Sequence, residues 1–478
     1  MKLTKNLNEN VKAIKEILCS DDVIFFSFKV KGNNAMVIFF DQLEDKALLG
    51  KQVLEPISLM ESVSSASQIL KNLTLPDGEI VTTIYKCVEK ITNGDSLILI
   101  DNFSEGISVA CKKHATRAVA EPPTSTVIKG PREGFVESLQ TNLSLLRQRI
   151  KSPDLVYKKF TVGKYSLTTV GIVYINSIVD KKIVETITKR LQKVDVDGII
   201  DSSYIAKSIS DKKTSLFKQL GTTEKPDILA SKLLEGRVGI IVEGSPIVLT
   251  APYLLLEDFQ TSEDYYLNTY RANVSRILRL VAVVISILLP AFYVSAQLFH
   301  LQFIPLNFLL TIVSSIKGIP LSPSAEMFFT LLIFEILNEA SIRMPRYVGI
   351  AMSVVGALVL GDTAVNAGII STPTILIIAL SGISLYTVPD LMESLSVLRI
   401  LYLFVAGTVG GYGILLLSAG LVIYLTSLES FGVPICAPYS PLVINDLQDG
   451  FIMNFYKNMT KRPLSFGTKN KTRGKTNG

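Results

Sequence analysis

Charged and polar side chains set inside apolar sequence are the residues with the most chemical consequence in this chain. A charge at membrane depth is expensive and tends to face a cavity or a partner. Glu335, Glu339 and Arg343 recur at i, i+4 and i+8, on one helix face, with Asn338 beside them. Such a face would suit an acidic element lining a cation path. The structural reading is favoured: Glu339 pairs with Arg343 one turn on, and Glu335 bonds a neighbouring helix. Asp362 has no cation nearby in sequence and ends an apolar run, so it reads either as a pore carboxylate or as a cap on the break before Asn366. Gly349, Ser353, Ala357 and Gly361 recur every four residues, a stripe of small side chains that lets helix backbones approach within a subunit or between subunits. Gly407 and Gly411 repeat that spacing. Gly349, Ser353, Ala357, Gly361, Asp362 and Asn366 are therefore the candidate ion path or gate.

Catalytic chemistry is not expected. The two histidines, His114 and His300, belong to no HExxH pattern. Val359-Leu360-Gly361-Asp362 lacks the first glycine of an intramembrane aspartyl protease, and Ala379-Leu380-Ser381-Gly382 lacks that of a rhomboid-like serine site. No phosphate loop or dinucleotide fingerprint occurs. No cofactor and no metal are expected.

The elements that must position these residues follow from a split in composition. Across 478 residues the charged fraction is 19%, and the mean hydropathy is +0.39. Up to about Arg271 charges recur every few positions. Beyond Arg279, the runs Leu280–Phe299, Leu301–Ile316, Thr363–Pro389 and Leu401–Leu428 carry none. A bilayer-spanning helix needs about 20 apolar residues. The pattern predicts a multi-pass membrane protein with a large N-terminal part. Its first residues lack the unbroken apolar core of a secretory signal, so that part is expected to stay cytoplasmic. Cys19, Cys87, Cys111 and Cys436 have no metal or disulfide spacing, which fits a reducing compartment. The net charge of +6 is too diffuse to point to nucleic acid.

The fold class expected is an α/β N-terminal half of two modules followed by an all-α polytopic transmembrane bundle. Module 1 (1–120) carries Val23–Val30 and Ala35–Phe40 around the turn Lys31–Asn34, helical stretches at Ala47–Leu70 and Glu79–Ile91, and a hairpin turning at Asp101–Gly106. A linker (121–152) holds an amphipathic helix with Leu139, Leu143, Leu146 and Ile150. Module 2 (153–270) has strands near Lys158–Val162 and Ser166–Ile175, and helices near Lys181–Lys193 and Ser202–Ser208. A hairpin turning at Glu243–Pro246 leads toward the membrane. Arg271, Arg276 and Arg279 read as a cationic collar, and Glu263–Tyr266 as an interfacial anchor. The membrane region (271–430) has four to six segments. The charges of Arg343 and Arg346 suit four helices up to Pro389, whereas a cytoplasmic tail needs an even total. Either Leu401–Leu428 folds back at Gly407–Gly413, or the short Leu301–Ile316 crosses. The basic tail (431–478) reads as disordered from Lys457 to Lys475, near anionic lipid headgroups.

Several stretches together resemble the A subunit of the spore germinant receptor (GerA) family. They are Lys129–Leu139 with Thr141–Ile150, Lys225-Pro226-Asp227, Leu234–Pro246 and Glu263–Tyr266. In the apolar half they are Phe334–Ala340 with Ile342–Pro345, Val355–Gly361 with Ala364-Val365, and Ser430–Pro434. Their ordered combination is the specific signal. Asn338 stands where that family usually has Arg, Asp362 where it has Gln, and Glu243 where it has Asp. The resemblance implies the spore inner membrane, with the N-terminal half facing the core. It also implies a complex with a polytopic, transporter-like B subunit and a lipoprotein C subunit. In that complex nutrients would trigger cation and dipicolinate release, and the A subunit would form a homo-oligomeric ligand-gated channel. A non-conducting scaffold beside a transporter-like partner, a secondary transporter and a sporulation-stage paralogue are the competing readings.

Overall fold

A two-residue turn sets the first strand pair. β1 (Val23–Val30) and β2 (Asn33–Phe40) are joined by Lys31-Gly32 alone, at φ 47° and 86°. Positive φ at both central residues supplies the twist a two-residue hairpin needs. The computed structural model describes residues 1–60, 63, 65–73, 75, 77–112, 127, 129–345, 348, 354, 356 and 359–474. With β3 (Gly78–Val81), β4 (Ser96–Ile100) and β5 (Gly106–Val109), the first sheet is antiparallel, in the order β1-β2-β4-β5-β3. Helices α1 (Leu7–Ile17) and α3 (Ile84–Thr92) cover one face, packing Ile14 and Ile91 against Phe40, Leu97 and Leu99. Helix α2 (Ala66–Asn72) lies on the other, where Ile69 joins Val37, Ile98 and Val109.

The expected helix at Glu79–Ile91 is corrected at its start. Ile80 and Val81 extend the sheet opposite Gly106 and Ile107, and the helix begins only after Thr83, whose hydroxyl accepts from the Lys86 N–H.

The second sheet repeats the path of the first. β6 (Leu155–Val162), β7 (Thr168–Ile175), β8 (Gly221–Thr223), β9 (Val238–Val242) and β10 (Val248–Ala251) run β6-β7-β9-β10-β8, again wholly antiparallel. Both sheets thus order their strands first, second, fourth, fifth, third. Helices α5 (Lys181–Gln192) and α6 (Ser202–Ile209) cover one face, and α4 (Leu139–Arg149) and α7 (Pro226–Leu234) the other. Helix α4 is no exposed linker. Leu139, Leu143 and Leu146 are core residues of the second sheet, and even Arg147 is buried. Arg147 reaches the first module: Nε and Nη2 lie 2.5 and 2.7 Å from Asp22 Oδ2 and Oδ1, with the guanidinium 3.8 Å from the Phe40 ring centroid.

One buried carboxyl makes the first module sensitive to pH. Glu44 lies beside Ser96 and Cys111, and burial pushes it up to about 8. A folded-state value above the unfolded one stabilises the fold fully below about pH 4.5, and that stability is lost as pH rises through about 8. Amide exchange of the first sheet in the full-length protein should therefore accelerate from about pH 5 to pH 8 beyond the intrinsic base-catalysed rise, with no further excess above about pH 8. Glu44→Gln should remove the excess; an unchanged excess in that variant contradicts the assignment.

The C-terminal half is helical. Its helices are α8 (Thr269–Phe299), α9 (Leu306–Ile316), α10 (Pro323–Arg343), α11 (Thr372–Leu385), α12 (Met392–Val409) and α13 (Gly411–Thr426). Helix α8 continues through Pro290. Helix α9, with 11 residues, is about 16 Å long, too short for a hydrocarbon core of about 30 Å. Thr269–Phe299 and the stretch 389–409 are long and apolar enough to cross a membrane. Large apolar side chains stand exposed on every helix, among them Val284, Val313, Ile336, Ile383, Phe404 and Ile423. An apolar belt of that extent calls for lipid rather than water.

The chain folds back between α12 and α13. The Tyr402 hydroxyl bonds Ser418 Oγ at 3.0 Å, whereas a straight helix would separate them by about 24 Å. Gly410 makes the turn at φ 72° and ψ −152°, a region open essentially to glycine, and a Cβ there would lie 2.8 Å from Phe299. Gly410→Ala should cost about 1–3 kcal/mol in detergent-solubilised thermal unfolding. Gly420→Ala, in open space on α13, should leave the midpoint unchanged.

The C-terminal segment departs from the sequence expectation. Rather than a disordered basic tail on lipid, it packs on the second module: Arg462 Nε donates to Leu234 O at 2.7 Å and Lys469 N to Ile178 O at 3.0 Å. Phe466 is buried beneath Arg237, with its ring centroid 4.5 Å from the guanidinium. Both ends of the helical half therefore rest on the same module.

Candidate functional site in the helical half

The candidate charge network divides into three. Glu335 on α10 is bonded to Arg399 on α12, which is fully buried and also donates through Nη1 to Ser381 Oγ on α11 at 3.2 Å. Three helices thus meet on one guanidinium. One turn along α10, Asn338 accepts from the Tyr386 hydroxyl at the end of α11. Glu339 and Arg343 pair with each other at 2.5 Å on an exposed face and, among the described residues, bond no other helix. The sequence reading missed Arg399, although it is the single charged residue from Ser394 to Leu428. That isolation is a usable signal.

The candidate gate is described only in part; Gly349, Ser353 and Ala357 lie outside the described residues. Gly361 and Asp362 sit in a π-helical turn, Val359–Thr363, a rare geometry that recurs at functional sites. Both are exposed, and Asn366 Nδ2 donates to Asp362 Oδ1 at 2.9 Å. A Cβ at Gly361 would meet nothing within 4 Å among the described residues. The other small residues differ: Gly407 approaches Ser324 on α10, and Gly411 approaches Ser295 and His300 at the end of α8.

The junction with the second module is ionic. The expected collar of exposed arginines is corrected for two of its three members. Arg276 is fully buried, with Nε 3.2 Å from Asp264 Oδ2 and Nη1 2.8 Å from Asp449 Oδ1. Arg279 Nη1 lies 2.8 Å from the same Asp264 Oδ2, and Arg271 alone stays exposed. Burial opposes the charge of Asp264, but the adjoining Arg279 and Arg276 hold its carboxyl below the ordinary range. Glu263–Tyr266 is thus half an internal latch, not a lipid anchor. Nothing near Asp264 in sequence could announce Asp449.

A second ionic group joins the same surfaces. Lys218 Nζ lies 2.8 Å from Asp258 and 3.0 Å from Asp390, just ahead of α12, and the Tyr253 hydroxyl donates to Asp258 at 2.5 Å. Burial pushes Asp258 up to about 6. Motifs scattered in sequence also converge here and at the start of α4. Tyr266 donates to Asp227 at 2.9 Å, its ring lies against Gly130, and Glu243 accepts from the Leu139 N–H at 3.1 Å. These contacts join the second module to the helices, and an exposed polar π-turn lies on the helical side.

Comparison with known proteins gives one consistent result. The family model described as "Bacillus/Clostridium GerA spore germination protein" matches residues 7–465. Spore germination protein KA of Bacillus subtilis is 35% identical over 98% of this chain and 88% of its own length. Spore germination protein GerLA of Bacillus cereus is 32% identical over 99% of this chain and 98% of its own. A further relative from Bacillus subtilis, 33% identical over 99% of this chain and 93% of its own, is described as an uncharacterized membrane protein. The crystal structure of the N-terminal domain of the Bacillus megaterium GerK3 receptor A subunit is 28% identical over 53% of this chain, with a TM-score of 0.43.

Proposed function

The chain belongs to the Bacillus/Clostridium GerA family of spore germination proteins, and from that premise we propose that it is the membrane subunit of a nutrient receptor whose activation ends spore dormancy. It would lie in the spore inner membrane with its α/β half on the core side. A transporter-like B subunit and a lipoprotein C subunit would complete the complex. Identical copies of this chain would surround a cation path, with the π-turn at Gly361, Asp362 and Asn366 beside it, and Gly349, Ser353 and Ala357 on the same segment.

One observation carries the channel reading. Asp362 is an exposed carboxylate in an apolar half, and its partner among the described residues is a single amide. In lipid such a group is costly; facing water between subunits it is not. The open space over Gly361 leaves room for a second copy to approach. A nutrient-bound partner need bias such a gate by only a few kcal/mol. The second reading is a scaffold that holds a conducting partner through the Lys218–Asp390 junction. Normal flux with Asp362, Glu335 and Glu339 all neutralised would favour it.

Gly361→Cys in a Cys19→Ser background tests the placement. Under mild oxidation in the assembled complex, the engineered thiol should link copies of this chain in pairs. Absence of the linked species, while the complex stays assembled, removes Gly361 from any subunit interface.

A further inference from the structure

The helical half holds a second polar site, separate from Asp362. Glu326 is 1% exposed in the first turn of α10. Its Oε1 accepts from both the N–H and the hydroxyl of Ser371, each at 2.7 Å, just ahead of α11. Ser371 Oγ lies 2.9 Å from Thr374 Oγ1. From α8, the Tyr293 hydroxyl lies beside Thr374, Gln297 and Ser371 and feels the Glu326 charge. Five oxygen-bearing side chains from α8, α10 and the start of α11 are therefore neighbours.

Two of these five groups lack a hydrogen-bond partner among the described residues. Tyr293 is 8% exposed, yet its hydroxyl has no hydrogen-bond partner among the described residues, and neither has Gln297 Nε2. A half-turn of that amide presents its carbonyl oxygen instead. Among the described residues, the ion pairs of the helical half join Arg276 to Asp264 and Asp449, Arg279 to Asp264, Lys218 to Asp390, Arg343 to Glu339 and Arg399 to Glu335; none reaches Glu326. Gln297 also lines a cavity of about 340 Å³ with Leu301, Leu309, Ile312 and Pro323, and the exposed Lys317 stands on its rim. The cavity thus reaches the site at Gln297.

We propose that Glu326, Ser371, Thr374, Tyr293 and Gln297 bind one alkali-metal cation between α8, α10 and the start of α11. One carboxylate with four neutral oxygens supplies a hard, singly charged donor set. That suits a monovalent ion, whereas sites for Ca²⁺ or Mg²⁺ draw on more carboxylates or phosphates. The cation would also neutralise a carboxylate otherwise buried without an opposite charge. The site stands on this geometry alone and is independent of the channel reading.

Rubidium-86 binding to the full-length chain in detergent tests it, with choline as the inert competitor. The wild type should show saturable binding that potassium or sodium displaces. Glu326→Gln should abolish it, Tyr293→Phe should weaken it roughly tenfold, and Glu393→Gln, at an exposed carboxylate on α12, should leave it unchanged. Should Glu326→Gln fail to fold, Tyr293→Phe and Thr374→Val decide, and full affinity in both overturns the site. It is likewise overturned if the wild type shows no saturable binding, or if Glu393→Gln rather than the Glu326 variant abolishes it.

Discussion

Arg399→Met is expected to destabilise the helical half by about 3–5 kcal/mol, because it leaves Glu335 charged and partly buried with no opposite charge. The guanidinium is fully buried and bonds side chains from α10 and α11, so its loss also unties Ser381. The attraction itself is not the main term. Desolvating two charges offsets much of what their pairing returns, so removing both should cost far less than removing one. Glu335→Gln combined with Arg399→Met should therefore recover most of the loss. Thermal unfolding of the four proteins in detergent reads this directly. Equal losses in the single and double variants would mean that Arg399 acts by packing, not by charge. Glu339→Gln, which touches only the exposed pair with Arg343, should change the midpoint by no more than the few tenths of a kcal/mol of a surface helix pair.

Arg147→Met should have a comparable effect in the soluble half, again about 3–5 kcal/mol. Its partner Asp22 is buried, and the pair is bidentate, with the guanidinium also donating to Ser20 Oγ at 3.0 Å and Leu155 O at 3.2 Å. It is the buried ionic tie between the two modules, beside hydrogen bonds that join Ser20 and Asp21 to Tyr157 and Lys159, so its loss should make limited proteolysis of the full-length protein release the first module more readily. Arg147→Lys keeps the charge but cannot form the two-nitrogen fork, and should fall between the two. Asp22→Asn in the Arg147→Met background should restore part of the resistance. Proteolysis unaltered by Arg147→Met would show that the modules are held by other contacts.

What could be read from sequence was local. The turn at Lys31-Gly32 and the hairpin around Glu243–Pro246 carry their own backbone requirements, and the structure places both pairs of strands there. The Glu339–Arg343 pair was visible because one helical turn separates its members. The pairing of Glu335 with Arg399 was not, because 64 residues intervene and only helix packing brings them together. The same holds for Arg276 with Asp449 and for Lys218 with Asp390. Strand β8 has three short residues and no apolar alternation, so it exists only because β10 offers it an edge. Helix α4 shows a stripe of leucines that reads as one buried face, whereas it is covered on nearly every side once α7 and the second sheet enclose it. The tail misled for a related reason. Its charges suggested solvation, but Phe466 anchors it against Arg237, and Asp446 accepts from the backbone of Leu464 and Ser465 at 2.8 Å.

The central claim is that this chain contributes the gate of a nutrient-opened cation path. Potassium efflux from vegetative cells expressing the chain with its B and C partners tests it most directly. An amino-acid mixture is added to cells carrying either wild type or Gly361→Leu, whose Cβ meets nothing within 4 Å among the described residues. The account predicts nutrient-dependent efflux in the wild type, and a changed rate or constant leak in the variant. Assembled complexes that release no potassium, or that release it identically with Gly361→Leu, would contradict it.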